Sequence, residues 1–367
     1  MSSAYTASDS WTTNSTATTD HTLIARLPPS ISPAENVFVA VVKLFICFIG
    51  TVGNVAVILA VLFSRKLQNT TNVFVTSLSI ADLLVSMFLV WLAVARLSDD
   101  GWPFPNAYLL CQASAFLVFI CIGVSVYNMA AIAVNRLMLI TRPYLYTKIY
   151  RPGYIAIMVA FTWVIPFSFG IALPLNDIGG FGYDPRDHTC SDLDAHPRAE
   201  TMALVQTLVG LPVPLIVITI SYTAQYFHVR RHFNRQLIHQ NEMVQQNTGQ
   251  MKETYQRRQA VIMRQQLDIT KNLFVVTLAF VISIAPFFLF NIVPQTGGIS
   301  YRINLYLSLP FLCHVAVNPI IYGIRHPQFK PVLRLMFMCR FRDIPAPSYL
   351  LQRFTKSRGP DSSMSVL

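Results

Sequence analysis

The sequence predicts an all-α membrane protein, a seven-transmembrane helix bundle with a short membrane-surface helix after the seventh span. The 367 residues are 53% hydrophobic and only 12% charged, with a mean hydropathy of +0.46, which is more apolar than a soluble fold can bury. Seven apolar runs have the roughly 20 residues that cross about 30 Å of hydrocarbon as a helix. The runs are far longer than a barrel strand, so helices are predicted.

The apolar runs divide the chain into four parts. One domain, 36–325, holds all seven spans, and the Ser- and Thr-rich segment 1–35 before it is predicted to be disordered. Residues 326–340 contain the amphipathic basic stretch FKPVLRLMFMCR, which suits a helix on the inner leaflet, and 341–367 are predicted to be a cytoplasmic tail. Residues 1–35 lack the apolar core of a cleavable signal peptide, so the first span is expected to act as the insertion signal. The predicted spans are 37–63, 73–95, 108–134, 154–175, 202–222, 272–293 and 303–324.

The charge pattern predicts the orientation. Residues 1–35 and the loops after spans two, four and six hold eleven of the seventeen acidic residues, whereas the basic residues concentrate in the other loops and the tail. The amino terminus is therefore predicted to be extracellular, with the glycosylation sequon at Asn14, and the protein to lie in the plasma membrane. The net charge of +11 then reflects Lys and Arg residues on the inner side, which face anionic lipid. A nucleic-acid surface is not expected, because these basic residues are spread over short loops.

The six cysteines separate by their predicted side of the membrane. Cys111 and Cys190 are the only two that are predicted to face the oxidising compartment, so a disulfide between them is expected. Cys339 ends the amphipathic stretch and suits a palmitoylated anchor. Three more lie mid-span, where a small buried hydrophobe is expected: Cys47, Cys121 and Cys313.

Every span carries a landmark residue or motif. The landmarks are Gly53-Asn54, SLSIADLL with Asp82, Cys111 and Asn135-Arg136, Trp163, Pro214 with Tyr222 eight residues later, Pro286, and NPIIY from Asn318 to Tyr322. In this order and spacing they resemble the rhodopsin-like (class A) family of G-protein-coupled receptors, over roughly residues 36–340. The GW before Cys111, the NR pair, LYTKIY and FGYDPRDHTC are similar to the melatonin-receptor group and, more so, to the invertebrate Moody and Trapped-in-endoderm type receptors.

The resemblance implies a receptor that activates a heterotrimeric G protein, with a leaning to the inhibitory class, and that also meets arrestin and receptor kinases. It implies that Arg136 binds the carboxyl-terminal helix of the G protein once span six moves outward. The alternative is that Arg136 merely reaches the lipid headgroups. The implied switch residues are Asn135, Arg136, Tyr222, Asn318, Pro319 and Tyr322.

The resemblance also implies a polar site around Asp82. In the family, residues at the positions of Asn54, Ser125 and Asn318 surround this acid and help to hold a sodium ion. The neighbouring positions of span seven here are His314 and Val315, which departs from the usual polar pair. A sodium ion and a protonated, hydrogen-bonded Asp82 both remain open. No other cofactor is expected.

The switch region departs from the family pattern as well. Ile284 stands where the family commonly has Trp, so that its role is expected to fall to Phe280 and Phe287. Asn135 and Gln266 stand where acids commonly hold Arg136, although Asp268 is within a turn of Gln266. An amide can accept a hydrogen bond from the guanidinium but supplies no charge, so a weak resting restraint and basal activity are predicted.

The ligand is predicted by exclusion and by two cations. A biogenic amine is disfavoured because Val118 stands where aminergic receptors have an acid. A covalently bound retinal is excluded because span seven contains no lysine. At 100° per residue, Lys43 and Arg96 point into the bundle, which together with an apolar wall favours an acidic lipid or other amphiphile. The resemblance to melatonin receptors implies a melatonin-like small molecule as the other possibility. The alternative for the two cations is that they pair with acids at the rim, at Glu35, Asp99 or Asp100. The candidate ligand residues are Lys43, Arg96, Val118, Ile122, Phe287, Phe288, Asn291 and Phe311.

Other classes of protein fit less well. A transporter or channel, the alternative reading, often has inverted repeats and interrupted helices, and an intramembrane protease needs a Ser/His, paired Asp or HExxH constellation. The sequence contains none of these, so a receptor and not an enzyme is predicted. The chain ends Ser365-Val366-Leu367, which suits a PDZ domain, although three residues often match by accident.

Overall fold

The computed structural model describes residues 31–98, 101–184, 188–193, 196–244, 250–291 and 298–357. The side chains of 209, 232–244, 250–267, 298–301 and 356–357 are not part of this description. Asn14, Asp99, Asp100, the Gln266 side chain and the motif ending at Leu367 therefore lie outside the described residues.

Seven helical segments of the described chain are long and apolar enough to cross a membrane, which confirms the predicted bundle. Spans one to four are α1 (Pro33–Phe63), α2 (Thr70–Arg96), α3 (Tyr108–Thr141) and α5 (Pro152–Leu175). Span five combines α6 (Ala199–Val205), a π-helical turn (Gln206–Gly210) and α7 (Pro212–Val244). Spans six and seven lie in α8 (Gln250–Asn291) and α9 (Gly298–Arg325).

The connections between the spans contain short elements. With inner and outer sides named by the predicted orientation, the second inner loop contains α4 (Pro143–Ile149). The chain after span seven contains α10 (Phe329–Phe337) and α11 (Tyr349–Ser357). In the second outer loop, β1 (Phe181–Asp184) pairs antiparallel with β2 (Thr189–Asp192), and Tyr183 lies opposite Cys190. Single 3-10 turns occupy Arg65–Leu67, Pro105–Ala107 and Phe341–Asp343.

The first helix begins inside the segment that was predicted to be a disordered tail. Ser32 Oγ accepts from the Glu35 amide over 3.3 Å, and the Glu35 carboxylate accepts from the Ser32 amide over 3.0 Å. This reciprocal capping box, with Pro33 at the first helical position, starts the helix before the apolar residues begin. This capping pattern, Ser32 to Glu35, is present in the sequence. The length of the apolar run alone therefore places the start of the first helix too late.

Span five is longer and less regular than its apolar run. The helix continues to Val244, beyond the predicted end at 222, because helical hydrogen bonds are satisfied within the chain whether or not lipid surrounds them. Before Pro212, the wider π-helical turn replaces regular α-helix at a point where proline supplies no amide hydrogen. The length of the apolar run thus predicts the part of the chain that crosses the membrane, and not the full length of the helix.

Span three lies at the centre of the bundle. It packs against α2, α5, α7 and α8, and both strands of the outer hairpin cover its outer half. Gly123 permits a close approach to span four, since a Cβ there would lie 2.8 Å from Pro166 Cβ. Trp163 Nε1 in turn donates to Ser77 Oγ over 3.0 Å and joins span four to span two.

The outside of the bundle is apolar, unlike that of a soluble domain. Large apolar side chains such as Phe45, Phe48 and Ile282 are more than 60% exposed on its outside. Asp82 and Asn318, in contrast, are buried at its centre. This arrangement suits a lipid environment, in which apolar side chains face the acyl chains and polar ones find partners inside.

Two short helices follow span seven. One face of α10 is buried through Phe329, Val332 and Leu333, while Phe337 remains 65% exposed, as expected of the predicted membrane-surface helix. Cys339 follows it, exposed, at a positive φ of 56°.

The chain beyond α10 is packed against the inner end of span one. We call residues 341–357 the tail segment. The Ser348 amide donates to the Phe63 carbonyl over 2.8 Å, and the Arg65 amide to the Ala346 carbonyl over 2.9 Å. Leu351 is 1% exposed. The sequence did not predict this docking of part of the tail.

Candidate functional site

An outer cavity of about 260 Å³ lies among the spans under the hairpin. All eight candidate ligand residues line it: Lys43, Arg96, Val118, Ile122, Phe287, Phe288, Asn291 and Phe311. Spans one, two, three, six and seven thus contribute to one cavity, and Lys43 and Arg96 point into it as their helical periodicity predicted. That these residues bind a ligand remains a prediction.

The hairpin covers the cavity because a disulfide holds it there. Cys190 of β2 is bonded to Cys111 at the outer end of span three, which confirms the predicted pairing. Phe181 of β1 packs edge-on against Phe116 with ring centroids 5.6 Å apart and lies 5.4 Å from Phe119. The cavity therefore has a fixed cover of defined side chains.

Lys43 and Arg96 are both buried in the cavity wall, at 3% and 2% exposure. Glu35, one of the acids considered as their rim partner, forms an ion pair with Arg302 over 2.8 Å and accepts from Tyr306 over 3.0 Å. Glu35 thereby joins the outer ends of spans one and seven.

Arg96 also has charged surroundings in the outer hairpin. Burial raises the pKa of the Tyr183 hydroxyl, while the charge of Arg96 opposes this rise and that of Asp184 adds to it. Asp192 lines the cavity itself. The hairpin thus provides an acid in the same cavity wall as Arg96.

Aromatic rings form the inner part of the cavity wall. Phe287 stacks on Phe311 with centroids 4.4 Å apart, and Phe288 meets Phe311 edge-on. Below them, His314 lies between Phe311 and Phe280, 5.9 Å and 5.2 Å from their centroids. Phe280 and Phe287, which were expected to take the role of the missing Trp, are thus connected through Phe311 and His314.

Asp82 is fully buried and joins three spans. Its Oδ1 accepts from Ser125 Oγ over 2.7 Å, and its Oδ2 accepts from Asn318 Nδ2 over 2.6 Å. Within the described residues, the Asn318 Oδ1 atom has no hydrogen-bond partner. Oxygen atoms of these three side chains suit a small hard cation, and the same carboxyl could instead hold a proton.

Asn54 has partners other than Asp82, which corrects the expected arrangement around the acid. Its Nδ2 donates to the Gly50 and Val315 carbonyls, each over 2.9 Å. The reason is Pro319, which has no amide hydrogen for the carbonyl four residues earlier, at Val315. Asn54 satisfies that orphaned carbonyl from span one.

Arg136 is 4% exposed at the inner end of span three. It interacts electrostatically with Tyr146 of α4, with Tyr222 of span five and with His326 after span seven. Asp268, the nearby acid noted in the sequence, is 63% exposed and pairs with Lys271 over 3.9 Å. The guanidinium therefore lies where three elements meet, and Asp268 is paired along its own helix.

Asn135 has two partners that the sequence did not predict. Its Oδ1 accepts from Thr71 Oγ1 over 2.6 Å, and its Nδ2 lies 3.5 Å from the Tyr146 hydroxyl. The amide therefore joins span two and the second inner loop beside Arg136. Tyr146 belongs to the LYTKIY stretch, but its sequence carries no signal for this contact.

The remaining switch residues connect the inner ends of the other spans. The Tyr222 and Thr277 hydroxyls are 3.3 Å apart, which joins span five to span six. Tyr322 is fully buried and stacks on Phe329 of α10, with centroids 5.3 Å apart. An outward movement of span six would have to break the first contact.

Residues 53–322 match the family described as 7 transmembrane receptor (rhodopsin family). The chain belongs to this family. Squid rhodopsin shares its fold, with a TM-score of 0.72 over 92% of this chain and 93% of that one, at 18% identity.

Curated relatives place the receptor more closely. It is 35% identical over 183 residues to Melatonin receptor type 1C of Xenopus laevis, covering 50% of this chain and 42% of that one. It is 33% identical over 216 residues to G-protein coupled receptor moody of Drosophila melanogaster, covering 57% of this chain and 31% of that one. The receptor thus spans less than half the length of these relatives. The predicted resemblance to melatonin receptors and to Moody is confirmed.

Family membership establishes the class of protein. The chain is a multi-pass membrane receptor of the plasma membrane and not an enzyme, and the transporter or channel alternative finds no support.

Proposed function

We propose that this receptor, with its amino terminus outside the cell, converts the binding of an extracellular ligand into activation of a heterotrimeric G protein of the inhibitory class. The observation that carries the proposal is the buried Arg136, which lies where span five, the second inner loop and the end of span seven meet. A guanidinium there becomes available to a partner only when these contacts rearrange, as a switch requires.

The ligand we propose is a compact acidic amphiphile. The cavity of about 260 Å³ is below the roughly 300–1,000 Å³ of most small-molecule sites, so a long acyl chain would have to extend beyond it. Lys43 and Arg96 favour an anionic group, and Phe287 and Phe311 favour an apolar or aromatic body. Val118, in place of an acid, disfavours an amine.

A melatonin-like indole is the second candidate. The stacked pair of Phe287 and Phe311 suits a flat ring, and one of the two relatives reported above is a melatonin receptor by name. An indole without an acidic group would leave Lys43 and Arg96 to their protein partners. The two candidates therefore differ in their dependence on these cations.

Other proposed partners rest on the sequence and the family. They are arrestin and receptor kinases at the inner face, a PDZ domain at Leu367, glycosylation of Asn14 and palmitoylation of Cys339. The sodium ion proposed at Asp82 would supply a positive charge shared by spans two, three and seven.

The function is tested by nucleotide exchange. Purified receptor in lipid nanodiscs is mixed with each class of heterotrimeric G protein, and exchange is measured with libraries of acidic lipids and of indoles. We expect a several-fold increase on the inhibitory class with an acidic amphiphile, and no exchange above background for Arg136→Ala at equal folding. Wild-type receptor that accelerates no G protein with or without these ligands would refute the proposal. A response to neutral indoles alone would replace the first ligand candidate by the second.

A further inference from the structure

A second cavity, here called the inner groove, lies between the inner ends of span three and span five and the second inner loop. Its volume is about 660 Å³. Six of the residues that line it carry the argument: Leu137, Met138, Arg142, Phe227, His228 and Arg231. None of the candidate ligand residues or switch residues lines this groove, so it is a separate site.

The inner groove is basic and contains no acid. Arg142, His228 and Arg231 line it, and no Asp or Glu does. In the part of the chain that the structure describes, the ion pairs involve other residues, and none of these three side chains lies within 4.0 Å of a carboxylate. Three basic groups around one groove, without an internal counter-charge, suit an anionic ligand.

The groove also has an apolar part, at a defined depth. Thr141 ends α3 and Arg142 follows it, while Arg230 and Arg231 are the first arginines of α7 after its apolar run. These bases therefore lie at the boundary of the bilayer. Met138 and Phe227 stand one helical turn before Arg142 and Arg231, which places them deeper in the hydrocarbon. Phe227 is 51% exposed.

We infer that the inner groove binds an anionic phospholipid of the inner leaflet. Its headgroup phosphate lies against Arg142, His228 and Arg231, and an acyl chain runs along Met138 and Phe227. The order of the two parts, basic at the boundary and apolar one turn deeper, matches the order within a phospholipid and not that of a soluble phosphate. Arg142 directly precedes α4, which carries Tyr146, so the bound lipid would hold the loop that contacts Asn135.

The test measures lipid binding to the full chain in the absence of extracellular ligand and G protein, so that it is independent of the proposed signalling function. Detergent-solubilised receptor is titrated with dioleoylphosphatidylserine and, separately, dioleoylphosphatidylcholine, and bound lipid is counted by native mass spectrometry. The test variant is Arg142→Gln with Arg231→Gln. The matched control is Arg342→Gln with Arg353→Gln, which removes two exposed inner-side charges outside the groove.

We expect the apparent Kd of the tightest phosphatidylserine to rise about tenfold in the groove variant and less than about twofold in the control. Wild type should prefer phosphatidylserine to phosphatidylcholine, and Phe227→Ser should weaken the binding of the long-chain lipid more than that of its dihexanoyl analogue. Equal losses in the groove and control variants would overturn the proposal in favour of general surface charge.

Two further outcomes would also overturn the inference. Competition by soluble glycerophosphoserine as strong as that by the lipid would assign the groove to a free phosphate. A groove variant that binds phosphatidylserine like wild type, yet loses nucleotide exchange, would assign Arg142 and Arg231 to the G-protein surface instead.

Discussion

Thr71 Oγ1 donates a 2.6 Å hydrogen bond to Asn135 Oδ1, and this bond joins the inner end of span two to the residue beside Arg136. Both side chains are buried. The Tyr146 hydroxyl approaches the other end of the same amide. The resting arrangement around Arg136 is therefore supported by a neutral residue that is held from two sides.

Replacing Asn135 by Asp is expected to lower basal activity. A carboxylate can accept from both Thr71 and Tyr146, and it adds a negative charge beside the Arg136 guanidinium. A restraint stronger by about 1 kcal/mol would reduce the active fraction several-fold. The basal activity is measured as nucleotide exchange without ligand, at matched surface expression. Adding Gln266→Glu should lower this basal exchange further.

The matched control for this variant is Thr71→Val, which removes the hydroxyl at nearly constant volume and adds no charge near Arg136. It should raise basal exchange, because Asn135 then loses its 2.6 Å bond. Basal rates that are equal in wild type and Asn135→Asp, or higher in the mutant, would contradict the restraint.

Replacing Arg96 by Gln should weaken the response to the most potent acidic amphiphile of the library. A charge-assisted bond in this buried position corresponds to about 1.5–3 kcal/mol, so the half-maximal concentration should rise tenfold or more. Basal exchange should not change. Arg198→Gln, at an outer cation whose side chain is 56% exposed, serves as the control. An unchanged dose response would leave Arg96 as a partner of the hairpin acids.

Sodium is expected to lower basal exchange through Asp82. A cation held by Asp82, Ser125 and Asn318 would join three spans and so stabilise the resting arrangement. Exchange is compared in NaCl and in KCl at the same ionic strength, roughly 0.15 M. Basal exchange by the wild type should be slower in NaCl than in KCl, and that of Asp82→Asn should be the same in both salts. Equal rates in wild type would favour the protonated carboxyl.

The Leu351→Ala substitution should release the tail segment while the bundle stays folded. Removing a fully buried leucine side chain costs about 2–5 kcal/mol, so the amides of Ser348 and Arg65 should exchange hydrogen at least about 30-fold faster. Leu350→Ala is the matched control, because the neighbouring leucine is 58% exposed. Equal exchange in both variants would show that Leu351 does not hold the segment.

Acid should destabilise the receptor through His326. Burial and the nearby charge of Arg136 lower the pKa of His326 to about 3, and its Nδ1 accepts from the Gln328 and Phe329 amides. The neutral ring therefore contributes fully above pH ~6.5, its unfolded value, and the contribution is lost as the pH falls towards 3.

The size of this effect follows from linkage. Between pH ~8 and pH ~5 the loss is about 2 kcal/mol for this one group. Thermal unfolding in detergent from pH 8 to pH 5 should show a steeper loss of stability in wild type than in His326→Gln, which keeps a side-chain acceptor. Parallel curves would place the acid sensitivity elsewhere.

The two cations of the outer cavity could be predicted from helical periodicity. Lys43 and Arg96 fall on the faces of Asn54 and Asp82 at 100° per residue, and the structure places both in the cavity wall. In contrast, the partner of Asn54 depended on a carbonyl in span seven, 261 residues away, which Pro319 leaves unpaired. No local pattern in the sequence connects the two.

The sequence by itself determined the seven helices, their order, the disulfide between Cys111 and Cys190 and the family, because a bilayer imposes apolar length and the landmarks have fixed spacing. Only the tertiary structure decided the partners of Asn135, the docking of the tail segment under Phe63 and the basic inner groove. Each of these brings together groups from separate elements, and their contacts depend on how the elements pack and not on the pattern within any one of them.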